Sequence, residues 1–257
     1  MKICVLGSGS KGNCIYVESH GTAVLIDQGF SHKKIDERLE SRGLDTSKIK
    51  ALFITHEHDD HVRGVGITAR KLDIPVYGTA GTLDAKRNLF NGDQELIPVE
   101  SGIIVKVGSL ELLPFSVSHD AVDPVQFCIH SGKKKTGIAT DLGFVSTLVE
   151  QRLRESDIII IESNHDVDML KNGSYPWELK QRIMGRKGHL SNRNAADIIF
   201  NLTQYKSAKT ILAHLSEENN TAELAEKAVR ELFDRFDRRL LSLTVAAQDE
   251  ATTIIEI

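Results

Sequence analysis

The chain has 257 residues, of which 40% are hydrophobic and 26% are charged, and its formal net charge is −4. This composition is typical of a soluble globular protein. The negative charge excludes a nucleic-acid binder that relies on overall electrostatic attraction, so a polyanionic substrate would need local basic patches or metal ions. No apolar run approaches the ~18 residues of a membrane span, and the first residues lack the pattern of a signal peptide. The three scattered cysteines, without a C-x-x-C pair, predict a reducing cytoplasm.

The first half of the chain alternates between strand and helix patterns. Apolar segments rich in residues that favour β-structure predict strands at 2–6, 14–19, 22–27 and 50–56, with glycine turns between the first three. A helix is predicted to begin after Ser31, a suitable N-cap, and to end before Gly43. Further helices are predicted at 61–72 and 79–90.

The second half returns to strands over 103–141 and then mixes both element types. A helix at 145–156 leads into the buried strand "DIIIIES", and helices follow at 192–204 and 221–236. Asn220 is the expected N-cap of the last helix, with Glu223 three residues later. The segments "LLSLTVAA" and "TTIIEI" predict the final strands. Because no linker, repeat or low-complexity segment interrupts the chain, one domain over residues 1–257 is predicted, with two packed sheets flanked by helices.

The segment "ITHEHDDHVRG" (54–64) concentrates histidine and acidic side chains directly after an apolar run. His56 and His58 point the same way if the segment is extended, and Asp60 and His61 begin the next helix. Imidazole and carboxylate groups are preferred ligands of zinc, manganese and iron. Two metal ions need more donors than this stretch supplies. Further candidate metal ligands lie downstream, and each of them ends an apolar run. They are His119, Asp141 and His214.

The pattern H-x-H-x-D-H, followed by H, D and H at strand ends, resembles the metallo-β-lactamase-fold superfamily over essentially the whole chain. The resemblance implies an α/β (α+β) fold, a four-layer αββα sandwich of two mixed sheets flanked by helices, with a dinuclear site on its edge. One metal would be bound by His56, His58 and His119. The second would be bound by Asp60, His61 and His214. Asp141 would bridge the two metals, and Asp27 would hold the ligand loops by hydrogen bonding.

The fold alone does not select a reaction, because two metals that share a hydroxide can attack lactams, lactones, thioesters or phosphodiesters. Asp60 offers a hard oxygen ligand, which suits phosphate hydrolysis and manganese as well as zinc, with iron also possible. The segments "LGSGSKGNCIYVE", "ESNHDVDML", "YPWELKQRI" and "GHLSN" resemble the YycJ/WalJ branch of the superfamily. This resemblance implies 5′-to-3′ DNA exonuclease activity. The interval between Asp141 and His214 is too short for a β-CASP insertion, which argues against processing of structured RNA.

Several residues outside the predicted metal site are candidates for contact with a substrate. His189 in "GHLSN" is predicted to bind the scissile phosphate or to protonate the leaving oxygen, and Asp60 is assigned to catalysis with it. The turn "GSGSKGN" predicts either an anion cradle or a simple hairpin turn. The segment "LKQRIMGRKGH" predicts either a patch for backbone phosphates or a solvated helix face. The candidate substrate contacts are Ser8, Ser10, Asn13, Asn164, His165, Lys180, Arg182, Arg186 and Lys187.

The sequence therefore predicts a cytoplasmic metallohydrolase of phosphodiesters with two divalent metal ions (zinc or manganese, with iron possible) and a nucleic acid, DNA in the first place, as its substrate. No membrane partner is expected. One alternative is a hydrolase of a small metabolite such as a cyclic phosphate or a thioester. Another is a non-catalytic redox or regulatory binding module that uses the same ligands for a di-iron site. The sequence leaves the metal, the polarity of digestion, the pathway and the oligomeric state open.

Overall fold

The computed structural model describes residues 1–90 and 94–257, and this part of the chain divides into two compact units. Unit 1 comprises Met1–Ser116, Ala121–Lys134 and Ala247–Ile257, and unit 2 comprises Val117–Asp120 and Lys135–Ala246. Whether both units form one domain, as the sequence predicts, stays a prediction. Among the helices of the described residues, none is both long and apolar enough to cross a membrane.

Unit 1 contains a mixed sheet. Its strands are β1 (Lys2–Gly7), β2 (Cys14–Ser19), β3 (Thr22–Ile26), β4 (Ile49–Phe53), β5 (Val76–Gly78), β6 (Leu96–Pro98) and β14 (Ile255–Glu256). The strand order is β14-β1-β2-β3-β4-β5-β6. Strands β14, β1, β2 and β3 pair antiparallel, whereas β3, β4, β5 and β6 pair parallel. The central strands β2, β3 and β4 are almost wholly buried, which explains their nearly continuous apolar sequences.

The other elements of unit 1 are helices and an antiparallel group of strands. They are α1 (His32–Ser41), α2 (Asp59–Val62), α3 (Val65–Leu72), α4 (Ala80–Ala85), β7 (Val105–Val107), β8 (Leu110–Ser116) and β9 (Val125–Ser131). The predicted cap of α1 is confirmed, because the Ser31 side chain accepts a hydrogen bond from the Lys34 N–H. Ile35 and Leu39 of α1 are buried in the same apolar cluster as Leu25 of β3. The short strands β5 and β6 were not predicted from the sequence.

Unit 2 follows a parallel strand-and-helix pattern. Its elements are β10 (Lys134–Ala139), α5 (Thr147–Leu153), β11 (Ile158–Glu162), α6 (Val167–Asn172), α7 (Trp177–Met184), α8 (Asn192–Leu202), β12 (Lys209–Ala213), α9 (Ala222–Arg235) and β13 (Ser242–Val245). Strands β10, β11, β12 and β13 are neighbours in that order and pair parallel. Their carboxyl ends therefore lie at the same edge, the usual location of ligand sites in parallel sheets.

Two features of unit 2 differ from the sequence prediction. The N-cap of α9 is Thr221 rather than Asn220, because the Thr221 side chain accepts from the Leu224 N–H. The Asn220 carboxamide instead donates to the Ser163 carbonyl oxygen at 2.8 Å, so a tertiary contact outweighs the local capping preference. Helices α6 and α7 were not predicted, since each is short and their periodicity is weak.

Candidate metal centre

The histidine-rich segment of unit 1 forms a compact group after β4. His58 is the N-cap residue of α2, and Asp60 and His61 lie within this helix. The ring centroids of His56 and His58 are 4.5 Å apart, and those of His56 and His61 are 4.2 Å apart. The Nε2 atom of His61 is 3.3 Å from Oδ2 of Asp60. Four of the seven predicted ligands therefore lie together in this unit.

Asp27 orients two of these histidines through a chain of hydrogen bonds. Its Oδ2 atom is 2.8 Å from Nδ1 of His61 and accepts from the Thr55 hydroxyl at 2.8 Å. Because this hydroxyl donates to Asp27, its oxygen accepts from Nδ1 of His56, 2.9 Å away. The network therefore assigns the Nδ1 protons of both imidazoles to acceptors and leaves Nε2 as the atom with a lone pair. This arrangement is typical of metal-binding histidines.

Asn13 organises the glycine-rich turn that follows β1. Its Oδ1 accepts from the Ser8 hydroxyl and from the Gly9 N–H, both at 2.9 Å. Its Nδ2 is 3.1 Å from Oδ2 of Asp60 and 3.1 Å from Nε2 of His61. A side chain thus occupies the centre of the turn. The turn is therefore held together by a side chain of its own, and its binding of an anion stays a prediction.

The backbone of this turn is also engaged within unit 1. The N–H groups of Ser8 and Lys11 donate to the Ala247 carbonyl oxygen and to the Gln248 side chain, respectively. Ser8 is buried, whereas Ser10 is exposed at the tip. Ser8 therefore has a role within the turn, and Ser10 remains a prediction.

In unit 2, acidic and histidine side chains gather at the carboxyl edge of the parallel strands. Asp141 follows the end of β10, Glu162 is the last residue of β11, and His214 directly follows β12. One ligand atom from each of Asp141, Glu162, His189 and His214 can be chosen so that all lie within 4.8 Å of one another. Asp141 and His214 have φ angles of 52° and 54°, in the left-handed region that residues other than glycine seldom adopt. Such conformations are concentrated at functional sites.

Glu162 is the buried centre of this group. Its Oε1 lies 2.6 Å from Nδ1 of His189 and 2.9 Å from Nδ1 of His214. Its Oε2 accepts from the backbone N–H groups of Leu142 and Leu190. Glu162 was not predicted from the sequence, although a carboxylate that ends the apolar run "IIIIE" gives the same signal as Asp141.

His119 repeats the arrangement of the other histidines. Its Nδ1 is 3.2 Å from the Gly188 carbonyl oxygen, which directs Nε2 towards the acidic groups. Nε2 lies 3.4 Å from Oδ1 of Asp120 and 4.0 Å from Oδ1 of Asp141. His56, His61, His119 and His214 therefore all have a partner at Nδ1. This donor set suits a divalent metal, which binds the other nitrogen of a neutral imidazole.

The charges in unit 2 shift the pKa values of these groups. Burial alone would raise the pKa of the Glu162 carboxyl group, but the charges and hydrogen bonds of His189 and His214 outweigh it and hold this pKa well below its ordinary value. Burial lowers the pKa of His189, yet the Glu162 carboxylate more than compensates, so this pKa is raised. Burial lowers the pKa of His119, which favours its neutral, metal-binding form.

The two candidates after β11 are buried. The Nδ2 atom of Asn164 donates to the His214 carbonyl oxygen at 3.0 Å, so its amide supports the backbone of a predicted ligand. His165 is only 2% exposed, and burial lowers its pKa to about 4. His165 is therefore neutral at neutral pH, and contact of either buried side chain with a substrate stays a prediction.

Lys180 differs from the rest of the basic segment. It is 8% exposed, and its Nζ donates to the carbonyl oxygens of Lys171 and Gly173 at 2.9 and 2.8 Å. These carbonyls lie at the carboxyl end of α6, where a positive charge is favourable. The prediction that Lys180 binds a phosphate backbone is therefore corrected, because its charge is used inside the unit.

The remaining basic residues, Arg182, Arg186 and Lys187, are exposed. The Nε atom of Arg182 pairs with Oδ2 of Asp120. The guanidinium carbon of Arg186 lies 4.0 Å from the centre of the Phe144 ring, a cation–π contact. Two of the three cations therefore have a partner side chain at the surface of unit 2.

The loop that carries Arg186 and Lys187 is tied to the His119 segment. The Ser118 hydroxyl donates to the Arg186 carbonyl oxygen at 2.8 Å, and the Asp120 N–H donates to the Lys187 carbonyl oxygen at 3.1 Å. Together with the contact between His119 and Gly188, these bonds fix the loop beside a predicted metal ligand. The exposed cations therefore lie next to the candidate centre of unit 2.

Comparison with known proteins agrees with this site. A family model described as a beta-lactamase superfamily domain matches residues 22–215. The chain therefore belongs to the β-lactamase superfamily. It is 36% identical over 233 residues to the exodeoxyribonuclease YycJ of Bacillus anthracis, an alignment that covers 90% of this chain and 88% of the relative. It is 38% identical over 229 residues to the exodeoxyribonuclease WalJ of Streptococcus pneumoniae, and this alignment covers 87% of this chain and 85% of the relative.

A solved structure supports the fold independently. The metallo-beta-lactamase fold protein YhfI from Bacillus subtilis matches with a TM-score of 0.74 and 14% identity, and the match covers 99% of each chain. The predicted family and the predicted fold class, two mixed sheets flanked by helices, are thereby confirmed.

Proposed function

We propose that this chain is a metal-dependent phosphodiesterase that degrades DNA as a 5′-to-3′ exonuclease. The observation that carries the proposal is the identity of 36–38% to two exodeoxyribonucleases over 87–90% of the chain. The predicted ligand residues occupy sites with suitable hydrogen-bond partners in both units, as a preserved catalytic centre requires. All three cysteines are buried free thiols, which supports a cytoplasmic location.

We also propose that two divalent metal ions, zinc or manganese with iron as a further possibility, bind the family's ligand set. These ligands are His56, His58, Asp60, His61, His119, Asp141 and His214. Two such ions would supply Lewis-acid chemistry, which activates water and offsets negative charge on a phosphodiester. The hydrogen bonds at Nδ1 of four of these histidines support the assignment, because they orient Nε2 and keep the ligand loops rigid.

His189 is the proposed proton donor. Glu162 accepts from its Nδ1 at 2.6 Å and stabilises the doubly protonated imidazole, so that Nε2 holds a second proton. This proton would pass to the oxygen that leaves phosphorus, and Glu162 would keep the ring oriented during the transfer. The ring is part-exposed, with 22% of its side chain accessible, so a substrate can reach it.

Arg182, Arg186 and Lys187 are proposed to bind the phosphates that flank the cleaved bond. Their exposure and the fixed position of their loop support this role, and a local patch answers the objection that the net charge is negative. Each guanidinium group can bind a phosphate with two parallel hydrogen bonds. The patch would hold DNA without reading its sequence.

The proposed activity can be tested with end-labelled DNA. The purified protein, loaded with zinc or manganese, is expected to shorten DNA from its 5′ end and to leave 3′-labelled fragments of decreasing length. Parallel assays use a cyclic nucleotide and a thioester as substrates. If the protein cleaves either small substrate but leaves the DNA intact, the result would contradict the nuclease function and support a metabolite hydrolase.

Removal of the proposed proton donor should depend on the leaving group. His189→Ala is expected to slow DNA cleavage by roughly 10²–10⁴-fold, the usual contribution of general acid catalysis. The loss should be much smaller for bis-p-nitrophenyl phosphate, because p-nitrophenolate leaves without protonation. Metal content and thermal unfolding are the controls and should match the wild type. An equal loss on both substrates would show that His189 binds phosphate, and a loss of metal would show that it is a ligand.

Neutralisation of the basic patch should change the salt dependence of DNA binding. The logarithm of the DNA-binding constant falls as the logarithm of the salt concentration rises. For single-stranded DNA, the double variant Arg186→Ala/Lys187→Ala is expected to make this slope less steep by about 0.7 per lost contact. Lys180→Met is the matched control. It should leave the slope unchanged but reduce the free energy of unfolding by about 1–3 kcal/mol, since two carbonyl oxygens lose their donor. An unchanged slope in the double variant would contradict the role of the patch.

A further inference from the structure

Unit 2 contains a cavity of about 280 Å³ whose lining includes none of the predicted metal ligands. Its apolar lining comes from Phe144, Val145, Leu190 and Ile198. We infer that this cavity binds the nucleobase of the nucleotide next to the scissile phosphate. The inference rests on the proposed nuclease function and specifies how that site would hold its substrate.

The cavity lies beside the candidate catalytic group. Leu190 directly follows His189, and its N–H donates to Oε2 of Glu162 at 3.0 Å. Leu142, in the loop that also contains Gly143, donates its N–H to the same oxygen at 3.3 Å. Both loops of the cavity wall are therefore bonded to the carboxylate that orients His189. A nucleotide with its phosphate at His189 would have its base close to this wall.

Phe144 connects the cavity with the proposed phosphate patch. Its ring lines the cavity and also contacts the Arg186 guanidinium group at 4.0 Å. The loop that contains Gly143 packs closely on the loop that contains Arg186. A Cβ atom added to Gly143 would lie only 2.3 Å from the Arg186 carbonyl carbon. An adjacent aromatic ring and guanidinium plane are suited to stack a base and to bind its phosphate. The aromatic ring in the cavity wall and the cation beside it thus match the two parts of a nucleotide.

The polar lining indicates a base rather than a phosphate. The cavity is bordered by Glu150 and Asp197, together with the carboxamides of Asn194 and Asn201. Glu150 pairs with Arg154 at 2.8 Å, whereas the side chains of Asp197 and Asn201 have no hydrogen-bond or ion-pair partner among residues 1–90 and 94–257. A carboxylate repels phosphate but accepts from the amino groups of cytosine, adenine or guanine. Thymine lacks such a group and should bind less tightly.

The size of the cavity supports the same occupant. Pockets for whole small-molecule ligands usually measure ~300–1,000 Å³ and are lined mainly by apolar groups with a few polar ones. A cavity of about 280 Å³ is slightly below this range, which suits a single planar ring rather than a whole ligand. The ribose and phosphate would remain outside, on the side of Arg186.

The test compares single-stranded oligonucleotides that differ only in the nucleotide at the 5′ end, which carries cytosine, thymine or no base. Affinity is measured by fluorescence anisotropy in EDTA, and kcat/KM is measured with metal. The wild type is expected to bind the cytosine end roughly 5- to 150-fold more tightly than the abasic end, which corresponds to about 1–3 kcal/mol of stacking per base. The thymine end should lie between them.

Val145→Trp fills the cavity and should remove the difference between the cytosine and abasic ends. Leu241→Trp is the matched control, because Leu241 is 55% exposed and outside the cavity lining, and it should keep the wild-type difference. Asp197→Asn is expected to reduce the preference for cytosine over thymine. Thermal unfolding establishes that each variant is folded.

Equal affinity of the wild type for the base-bearing and abasic ends would overturn the inference, even if Val145→Trp fails to fold. Retention of the full difference in a folded Val145→Trp variant would also overturn it. Failure of the nuclease function has a separate signature, since the metal-loaded protein would then leave all oligonucleotides intact while the binding comparison in EDTA still reports on the cavity. Failure to bind any oligonucleotide in EDTA would reject the inference about the cavity, while cleavage by the metal-loaded protein would still decide the nuclease function.

Discussion

Each unit contains a buried carboxylate that orients candidate histidines by hydrogen bonds at their Nδ1 atoms, either directly or through a hydroxyl group. Asp27 binds Nδ1 of His61 directly and Nδ1 of His56 through the Thr55 hydroxyl. Glu162 binds Nδ1 of both His189 and His214. A buried charge without partners is costly, so these carboxylates require their imidazole partners and fix their rings in return. The orientation of Nε2, and with it the capacity to bind a metal, follows from these contacts.

Strand topology explains why the groups of unit 2 can meet. Parallel pairing brings the carboxyl ends of β10, β11 and β12 to one edge, where Asp141, Glu162 and His214 are located. The left-handed φ angles of Asp141 and His214 turn the chain abruptly after the strands. Such local strain persists only where the surrounding packing enforces it. The site is thus assembled from residues far apart in sequence but equivalent in position within the sheet.

Much of this organisation could be predicted from the sequence, because strand ends and histidine spacing are local signals. The family, the fold class and most long elements were predicted, whereas short elements such as β5 and α6 were not. Tertiary partners explain the errors. Lys180 looked like a phosphate contact until its bonds to the carbonyl end of α6 were known. The role of Asn13 in organising the glycine-rich turn could not be predicted either, because it depends on contacts that only the folded chain shows. Glu162 was missed because its histidine partners are distant in sequence.

Asp141 offers the sharpest test of the proposed dinuclear metal centre for phosphodiester hydrolysis. Asp141→Asn keeps the size of the side chain but removes the charge that would offset two cations. Metal content per chain should be measured by atomic emission, together with DNA cleavage and circular dichroism. We expect two metal ions in the wild type, and in the folded variant a reduced metal content and a matching loss of cleavage. Wild-type metal content and turnover in Asp141→Asn would contradict this expectation.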